Sequence, residues 1–138
     1  MGLFKNLIGG EWVEGGDTIR SINPSDTDDV VAECAVATAQ QVADAAAAAR
    51  IAQQQWAQTT TQVRSDLLLK VGTELMDRRE ELGELISREE GKTRPEGIGE
   101  MIRAAQVFRF FAGEVVRFAL LFGLGFVIAV LRNCFLSC

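Results

Sequence analysis

The sequence predicts a mostly α-helical chain that begins with a short β-hairpin and further strands. Two observations support this prediction. In the first 36 residues, short apolar runs are separated by glycine, proline and aspartate, which is typical of strands joined by turns. From Thr38 onward, apolar residues recur every three or four positions in segments that carry helix-capping residues. Such helices need a parallel sheet to pack against, and the predicted strands carry too little sequence to make a full sheet.

The strands are predicted from turn residues and from alternation. Residues 3–13 form a small hairpin, because Gly9 and Gly10 supply the positive φ angles of a tight turn. Residues 18–22 form a second β run, which the following Asn-Pro dipeptide ends. Residues 30–36 form a strand. The side chains predicted on one face of that strand are Val30, Ala32, Cys34 and Val36.

Three helices are predicted next, with their ends marked by capping residues. Thr38 and Gln41 form a capping box at the first helix. Asp77 and Glu80 are a candidate cap for the third helix, which Gly91 ends. The predicted helices span residues 38–58, 59–76 and 78–90. The apolar residues expected to face inward are Val42, Ala45, Ala49, Ala52, Trp56, Val63, Leu67, Leu68, Val71, Leu75, Leu82, Leu85 and Ile86.

A fourth helix begins near Thr93, and its sequence changes character in the middle. Thr93 and Glu96 form another capping box. The apolar side of its first half consists of Ile98, Met101, Ile102, Ala105, Phe108, Ala112 and Val115. Residues 118–131 are then apolar on every side, unlike a helix that faces one core. We therefore divide the chain into residues 1–117 and an apolar tail over residues 118–138.

The composition excludes several classes of function. The 138 residues contain no histidine, so no Ser-His-Asp triad, Cys-His pair or histidine-ligated metal site can be built. The net charge of −5 and the absence of a basic stripe argue against a nucleic-acid partner. Cys34, Cys134 and Cys138 fit neither a zinc site nor a paired disulfide framework, and Cys34 is interpreted as a small apolar residue. With no recognisable secretion signal, we expect a reducing, cytoplasmic location.

Short motifs that resemble chemical sites lack the sequence context that those sites need. The tripeptide GKT at 91–93 has Ile86 where a phosphate-binding loop needs glycine, so a helix C-cap followed by an N-cap is the better interpretation. The tripeptide GLG at 123–125 lacks the third glycine of a dinucleotide fingerprint. The acidic pairs at 28–29 and 89–90 are interpreted as solvated turns and helix ends.

Two apolar features leave alternatives open. Four aromatic residues form either a core or a partner surface, and their helical spacing favours a core; they are Phe108, Phe110, Phe111 and Phe118. Residues 118–131 fall short of the ~20 residues of a bilayer span. The alternative is a short membrane anchor, with Cys134 and Cys138 as acylation sites.

The order and spacing of several short stretches carry a family resemblance. These stretches are LIGGEWV at 7–13, INP at 22–24, VAE at 31–33, AT at 37–38, Val42 with AAAA at 45–48, WA at 56–57, Arg64, LLL at 67–69, RREEL at 78–82, EEGK at 89–92 and FRFFAGE at 108–114. Together they resemble the opening of the NAD(P)-dependent aldehyde dehydrogenase superfamily, over roughly residues 5–117. The last stretch is similar to semialdehyde-oxidising members, such as those acting on α-ketoglutaric semialdehyde.

The resemblance implies an α/β parent fold, in which residues 1–117 are the N-terminal part of a coenzyme-binding domain. It implies a parent enzyme that oxidises aldehydes to carboxylic acids with NAD or NADP, through a cysteine nucleophile. In the family, the nucleophile, the general-base glutamate and the cofactor-binding residues lie beyond the matched region. We therefore expect no catalytic, cofactor-binding or metal-binding residue, no bound cofactor and no activity from this chain alone.

Residues 118–138 depart from the family pattern, and a shifted reading frame or a truncated gene would explain the abrupt switch. An alternative function is a helical interaction or assembly segment, whose partner would be a full-length homologue or a homo-oligomer. A second alternative is a small membrane-anchored protein that attaches through the tail.

Overall fold

The structure is a computed structural model that describes the backbone of residues 3–136 and the side chains of residues 3–121. Its elements are β1 Leu3–Phe4, β2 Asn6–Ile8, β3 Glu11–Val13, β4 Asp17–Ile22, β5 Val30–Val36, α1 Ala39–Trp56, α2 Thr61–Asp77, α3 Arg79–Glu90 and α4 Arg94–Leu136. The described residues divide into two compact units. The first contains the strands, α1, α3 and α4 up to Met101, and the second contains α2 and α4 from Ile102 onward. A mostly helical chain with short N-terminal strands is thereby confirmed.

The strands of the first unit form a three-stranded sheet and a separate hairpin. β5 lies in the middle of the sheet, with β4 antiparallel on one side and β1 parallel on the other. The hairpin pairs β2 with β3, and Gly9 and Gly10 adopt φ angles of 60° and 92° at its turn. The predicted turn and the strand over residues 30–36 are confirmed. The prediction of one hairpin over residues 3–13 is wrong, because β1 leaves it to pair with β5.

One of the two predicted caps at the starts of α1 and α3 is confirmed. At α1, the backbone N–H of Gln41 donates to Thr38 Oγ1 at 3.2 Å, and Thr38 N–H donates to Gln41 Oε1 at 2.9 Å. At α3, the prediction of a cap from Asp77 is wrong, since Asp77 is still the last residue of α2. Its backbone is therefore helical, whereas an N-cap needs an extended backbone. Arg78 is the N-cap instead, without a side-chain capping bond.

The contact between α3 and the start of α4 is made by residues with small side chains. Gly83, Ser87 and Gly97 are buried there. A Cβ on Gly83 would lie 2.6 Å from Ile98 Cγ1 and 2.7 Å from the Ile98 backbone nitrogen. Ser87 Oγ donates to the Gly83 carbonyl at 2.7 Å, which pairs its hydroxyl inside the contact. The two helices can therefore approach to backbone contact only while position 83 has no side chain.

In the second unit, α2 and α4 also contact each other through residues with small side chains. Ser65 and Gly72 are the buried residues of α2, and they lie seven positions apart. Ala105 and Ala112 of α4 are 0% and 1% exposed and have the same spacing. A Cβ on Gly72 would lie 3.0 Å from the Ala105 carbonyl oxygen. The prediction that Ala105 and Ala112 face inward is confirmed.

Most larger apolar residues of the helices are not covered. No described residue of α1 is buried, and Val42 is 61% exposed. Val63 and Leu67 of α2 and Leu85 of α3 are exposed as well. The expectation that these residues face inward is therefore wrong within this chain. The periodicity identifies the apolar side of a helix, but burial needs an opposing layer, and the short strands do not supply one.

The fourth helix continues through the point where its sequence changes. α4 runs without interruption from Arg94 to Leu136, so the predicted change at residue 117 leaves no break in the backbone. The division into residues 1–117 and 118–138 stays a prediction. The GLG tripeptide at 123–125 lies within α4, and the side chains of residues 122–138 are outside the described set. In the part of the chain that the structure describes, no helix is long and apolar enough to cross a membrane.

Candidate functional site

A paired aspartate and arginine join two distant parts of the first unit. Asp29 precedes β5, and Arg88 lies in the last turn of α3. Arg88 Nη2 donates to Asp29 Oδ1 at 2.6 Å, and Arg88 Nε donates to Oδ2 at 2.8 Å. Asn23 Nδ2 adds a bond to Asp29 Oδ2 at 3.2 Å. We call this arrangement the Asp29–Arg88 clip.

The electrostatics of the clip argue for a structural role. Hydrogen bonds from Arg88 and then Asn23 lower the pKa of Asp29 from 3.8 to about 2. The hydrogen bond to Asp29 likewise raises the pKa of Arg88. Both groups therefore stay charged at neutral pH, and a general base needs a pKa near the working pH. The clip orients the chain before β5, but it does not supply proton transfer.

The GKT tripeptide at 91–93 forms a junction between two helices. Gly91 ends α3 in the left-handed region with φ of 69°, and its carbonyl accepts a bond from Ser25 Oγ at 3.0 Å. Glu96 Oε2 accepts from the Thr93 backbone N–H at 2.9 Å and from the Thr93 hydroxyl at 2.6 Å. These bonds lower the pKa of Glu96. The interpretation as a C-cap followed by an N-cap is confirmed.

Lys92, in the same tripeptide, is held by carboxylates. Its Nζ pairs with Glu90 Oε2 at 2.5 Å and also with Glu100. Hydrogen bonds to Glu100 and then Glu90 raise the pKa of Lys92. A lysine nucleophile needs a lowered pKa, and a phosphate-binding lysine needs a free ammonium group. Two neighbouring carboxylates therefore argue against both roles.

An open apolar groove lies between the β2–β3 hairpin and α1. It has a volume of about 640 Å³. Its lining residues are Leu7, Ile8, Gly9, Gly10, Ala45, Ala48, Ala49, Ile51, Ala52 and Gln55. The lining contains no ionisable side chain, so the groove can contact apolar surface but offers no acid, base or nucleophile.

The aromatic residues of α4 are mostly on the surface of the second unit. Phe110, Phe111 and Phe118 are 61%, 54% and 58% exposed, while Phe108 is half-buried. The rings of Phe110 and Phe111 meet edge to face, with their centroids 5.4 Å apart. The prediction that all four pack in a core is wrong for these three, because they lie off the side of α4 that Ala105 and Ala112 mark as buried. The alternative of a partner surface stays open.

The next features are the three cysteines and the residues that could bind a metal ion. Cys34 is a free cysteine on β5, and it is half-buried rather than buried. Cys134 and Cys138 lie outside the described side chains. Among the residues that the structure describes, no three His, Cys, Asp or Glu side chains come together as a set that could hold a metal ion. The expectation that the chain lacks catalytic and cofactor-binding residues stays a prediction.

Local sequence patterns do not predict the Asp29–Arg88 clip. The sequence predicts a solvated acidic turn at Asp29, but the partner of Asp29 lies 59 positions away. No local pattern joins the two residues. The one signal in the sequence is the polar Asn-Pro-Ser turn at 23–25, whose Asn23 also bonds Asp29.

A family model and several curated proteins match the chain. The model of the "Aldehyde dehydrogenase family" matches residues 12–120. Alpha-ketoglutarate semialdehyde dehydrogenase of Haloferax volcanii is 38% identical over 112 residues, which are 80% of this chain and 23% of that protein. Alpha-ketoglutaric semialdehyde dehydrogenase of Bacillus subtilis is 37% identical over 116 residues, which are 83% of this chain and 24% of that protein.

Solved structures match over a similar stretch. A NAD-dependent benzaldehyde dehydrogenase from Corynebacterium glutamicum matches with a TM-score of 0.77 and 35% identity, over 83% of this chain and 25% of that chain. Betaine aldehyde dehydrogenase from Staphylococcus aureus, solved in complex with NAD+, matches with a TM-score of 0.76 and 31% identity, over 80% of this chain and 22% of that chain. The chain thus spans about a quarter of the length of these proteins.

Proposed function

The chain belongs to the aldehyde dehydrogenase family, and on that premise we propose that residues 1–117 form the N-terminal part of the coenzyme-binding domain of an aldehyde-oxidising enzyme. The parent reaction converts an aldehyde to a carboxylic acid with NAD+ or NADP+. The family match over residues 12–120 is the observation that carries the proposal. Two of the matched relatives are named for a semialdehyde, which is therefore the first substrate class to test.

The described residues contribute packing surface rather than chemistry. The GKT tripeptide does not fit a bound phosphate group, because Lys92 is paired with two carboxylates. The GKT junction also follows a helix, whereas a phosphate-binding loop of this type follows a strand. We propose that the nucleophile, the general base and the cofactor site of the parent enzyme lie outside these residues. We also propose that this chain alone is inactive.

The exposed apolar residues of the first unit support a role as part of a larger domain. Val42 and Ile51 on α1 are 61% and 70% exposed, and Trp12 on β3 is 65% exposed. Apolar surface of this extent is typical of a face that packs against another layer. A cytoplasmic location and a full-length homologue as partner stay predictions.

A chimera tests the proposal. Residues 5–117 of this chain replace the matched segment of the Bacillus subtilis relative, and aldehyde oxidation is followed by the formation of reduced nicotinamide. We expect the chimera to turn over the semialdehyde with NAD+ or NADP+, and the 138-residue chain alone to show no turnover. A folded chimera without activity would contradict the structural assignment. Turnover by the chain alone would contradict the proposal that the nucleophile, the general base and the cofactor site lie outside these residues.

A further inference from the structure

One side of α4 in the second unit carries exposed apolar residues. They are Val107, Phe110, Phe111 and Phe118, and each is between 48% and 61% exposed. Their spacings of three, four and seven residues return to the same side of a helix. At 3.6 residues per turn, the four lie roughly 120–160° around the helix from the buried Ala105. We call these four residues the α4 stripe.

The acidic residue within the α4 stripe is paired inside its own chain. Glu114 lies four positions from Phe110 and four from Phe118, and its side chain is only 18% exposed. Its Oε2 accepts a hydrogen bond from Arg117 Nη2 at 2.6 Å. A partner therefore meets apolar side chains on this side of the helix and needs no charge to match Glu114. Such a surface fits another packed layer of a protein domain.

The helix that carries the α4 stripe is held in place from its other side. Ser65 and Gly72 are the buried residues of α2, and a Cβ on Gly72 would lie 3.0 Å from the Ala105 carbonyl oxygen. The rings of Phe110 and Phe111 meet edge to face, with their centroids 5.4 Å apart. Helix and rings are thus positioned within this chain, so a docking partner has less conformational freedom to remove.

The α4 stripe lies in the part of the chain that is shared with much longer proteins. All four residues fall within residues 12–120, which match the family model. The matched stretch is only 23–25% of the relatives compared above, so about three quarters of each relative lies outside it. Those three quarters are a candidate for the layer that would cover the α4 stripe.

We propose that this chain assembles without a covalent link with the remaining three quarters of an aldehyde dehydrogenase, present as a separate polypeptide. The α4 stripe is part of the surface on which the two pieces meet. The inference rests on the proposed function and adds that the segment can take its place in the enzyme in trans. This chain brings no reacting group to the assembly. It completes the coenzyme-binding domain, and the other piece thereby gains aldehyde oxidation.

Co-expression of the two pieces tests the assembly. The second piece is the Bacillus subtilis relative without the 116-residue stretch that this chain matches, and it carries a purification tag. We expect the 138-residue chain to co-purify with it in equal amount. Aldehyde oxidation, followed by the formation of reduced nicotinamide, should rise at least about tenfold over the truncated relative expressed alone, because a partner that binds the folded form stabilises it.

A charge placed in the α4 stripe tests the surface. Phe111→Glu should lower both co-purification and activity at least about tenfold, because an unpaired carboxylate would be buried where the two pieces meet. Thr73→Glu adds the same charge at an exposed position of α2, and we expect it to leave both unchanged. Both variants alone should retain the helical circular dichroism of the unmodified chain. If Phe111→Glu assembled as well as Thr73→Glu, the α4 stripe would not be the docking surface.

The covalent chimera separates this inference from the proposed function. An active chimera, together with a truncated relative that gains neither partner nor activity from the separate chain, would overturn assembly in trans and leave the proposed function intact. A chain that associated only with copies of itself during co-expression would also overturn the proposal. Co-purification with recovered activity, lost in Phe111→Glu and kept in Thr73→Glu, is the result that we expect.

Discussion

Replacing Gly83 by alanine should destabilise the first unit, although alanine is the better helix former. The new Cβ would lie 2.6 Å from Ile98 Cγ1, 2.7 Å from Ile98 N and 2.8 Å from Ile98 Cα. Two of these three atoms belong to the backbone of α4, so a change of side-chain rotamer cannot relieve the contact. α3 and α4 would have to separate, and the buried Ser87 beside them would lose part of its packing.

The magnitude follows from two opposing effects. Alanine in place of glycine stabilises a helix interior by about 1 kcal/mol. Overpacking a close contact costs about 1–3 kcal/mol, and a clash with backbone belongs at the upper end of this range. The net loss for Gly83→Ala is therefore about 2 kcal/mol. For a chain of this size, that loss lowers the unfolding midpoint by roughly 6–10 °C.

Thermal unfolding followed by helical circular dichroism measures the effect, and Gly99→Ala is the matched control. Gly99 lies in the same helix contact region of α4, but a Cβ there would meet no atom within 4 Å. We expect Gly99→Ala to raise the midpoint by about 3–5 °C, because only the helix propensity changes. If Gly83→Ala were as stable as Gly99→Ala, the close approach of α3 and α4 would be refuted.

Three further substitutions test local features of the first unit. Thr38→Ala removes the acceptor of the bond from Gln41 N–H and should cost about 1 kcal/mol in urea unfolding, whereas Thr38→Ser should cost less. Gly10→Val places a β-branched residue at φ of 92° and should cost about 1–2 kcal/mol, although a Cβ at this position would meet no atom within 4 Å. An unchanged urea midpoint would contradict this turn conformation. Asp29 has a folded pKa of about 2, below its ordinary 3.8, so its stabilising contribution is present above pH 3.8 and is lost as the pH falls toward 2. As the pH falls from 3.8 toward 2, the unfolding midpoint of the unmodified chain should therefore fall more than that of Asp29→Asn. Equal decreases in the two midpoints would contradict the Asp29–Arg88 clip.

Local features of the fold could be predicted from the sequence. Gly9 and Gly10 at the hairpin turn, Thr38 with Gln41 at α1 and Gly91 at the end of α3 all lie where the sequence predicts them. Each depends on atoms within a few residues of one another. Their geometry is therefore set by the local backbone rather than by the rest of the chain.

Burial could not be predicted in the same way. The spacing of Val42, Val63 and Leu67 identifies an apolar side of α1 and of α2, but each of these residues is exposed. Ala105 and Ala112 are buried because α2 approaches them through Gly72. Periodicity gives the direction of a side chain along its helix, but it does not tell whether another element lies in that direction.

The candidate site also contains contacts between residues close in the sequence and contacts between residues far apart in it. The carboxylates that hold Lys92 lie within eight residues of it, whereas the Asp29–Arg88 clip joins residues 59 positions apart. The family followed from the order of many weak motifs, and the match over residues 12–120 confirms it. The sequence contains no histidine, and this fact alone excludes a Ser-His-Asp triad or a Cys-His pair.

The activity of the chimera that carries residues 5–117 of this chain is the most direct test of the account. We predict that it oxidises the semialdehyde of its Bacillus subtilis parent with NAD+ or NADP+, while the 138-residue chain assayed beside it does not. This result would show that the segment serves as the start of a coenzyme-binding domain whose chemistry lies elsewhere. A chimera with the circular dichroism of its parent but no turnover would contradict the account, and so would oxidation by the chain alone.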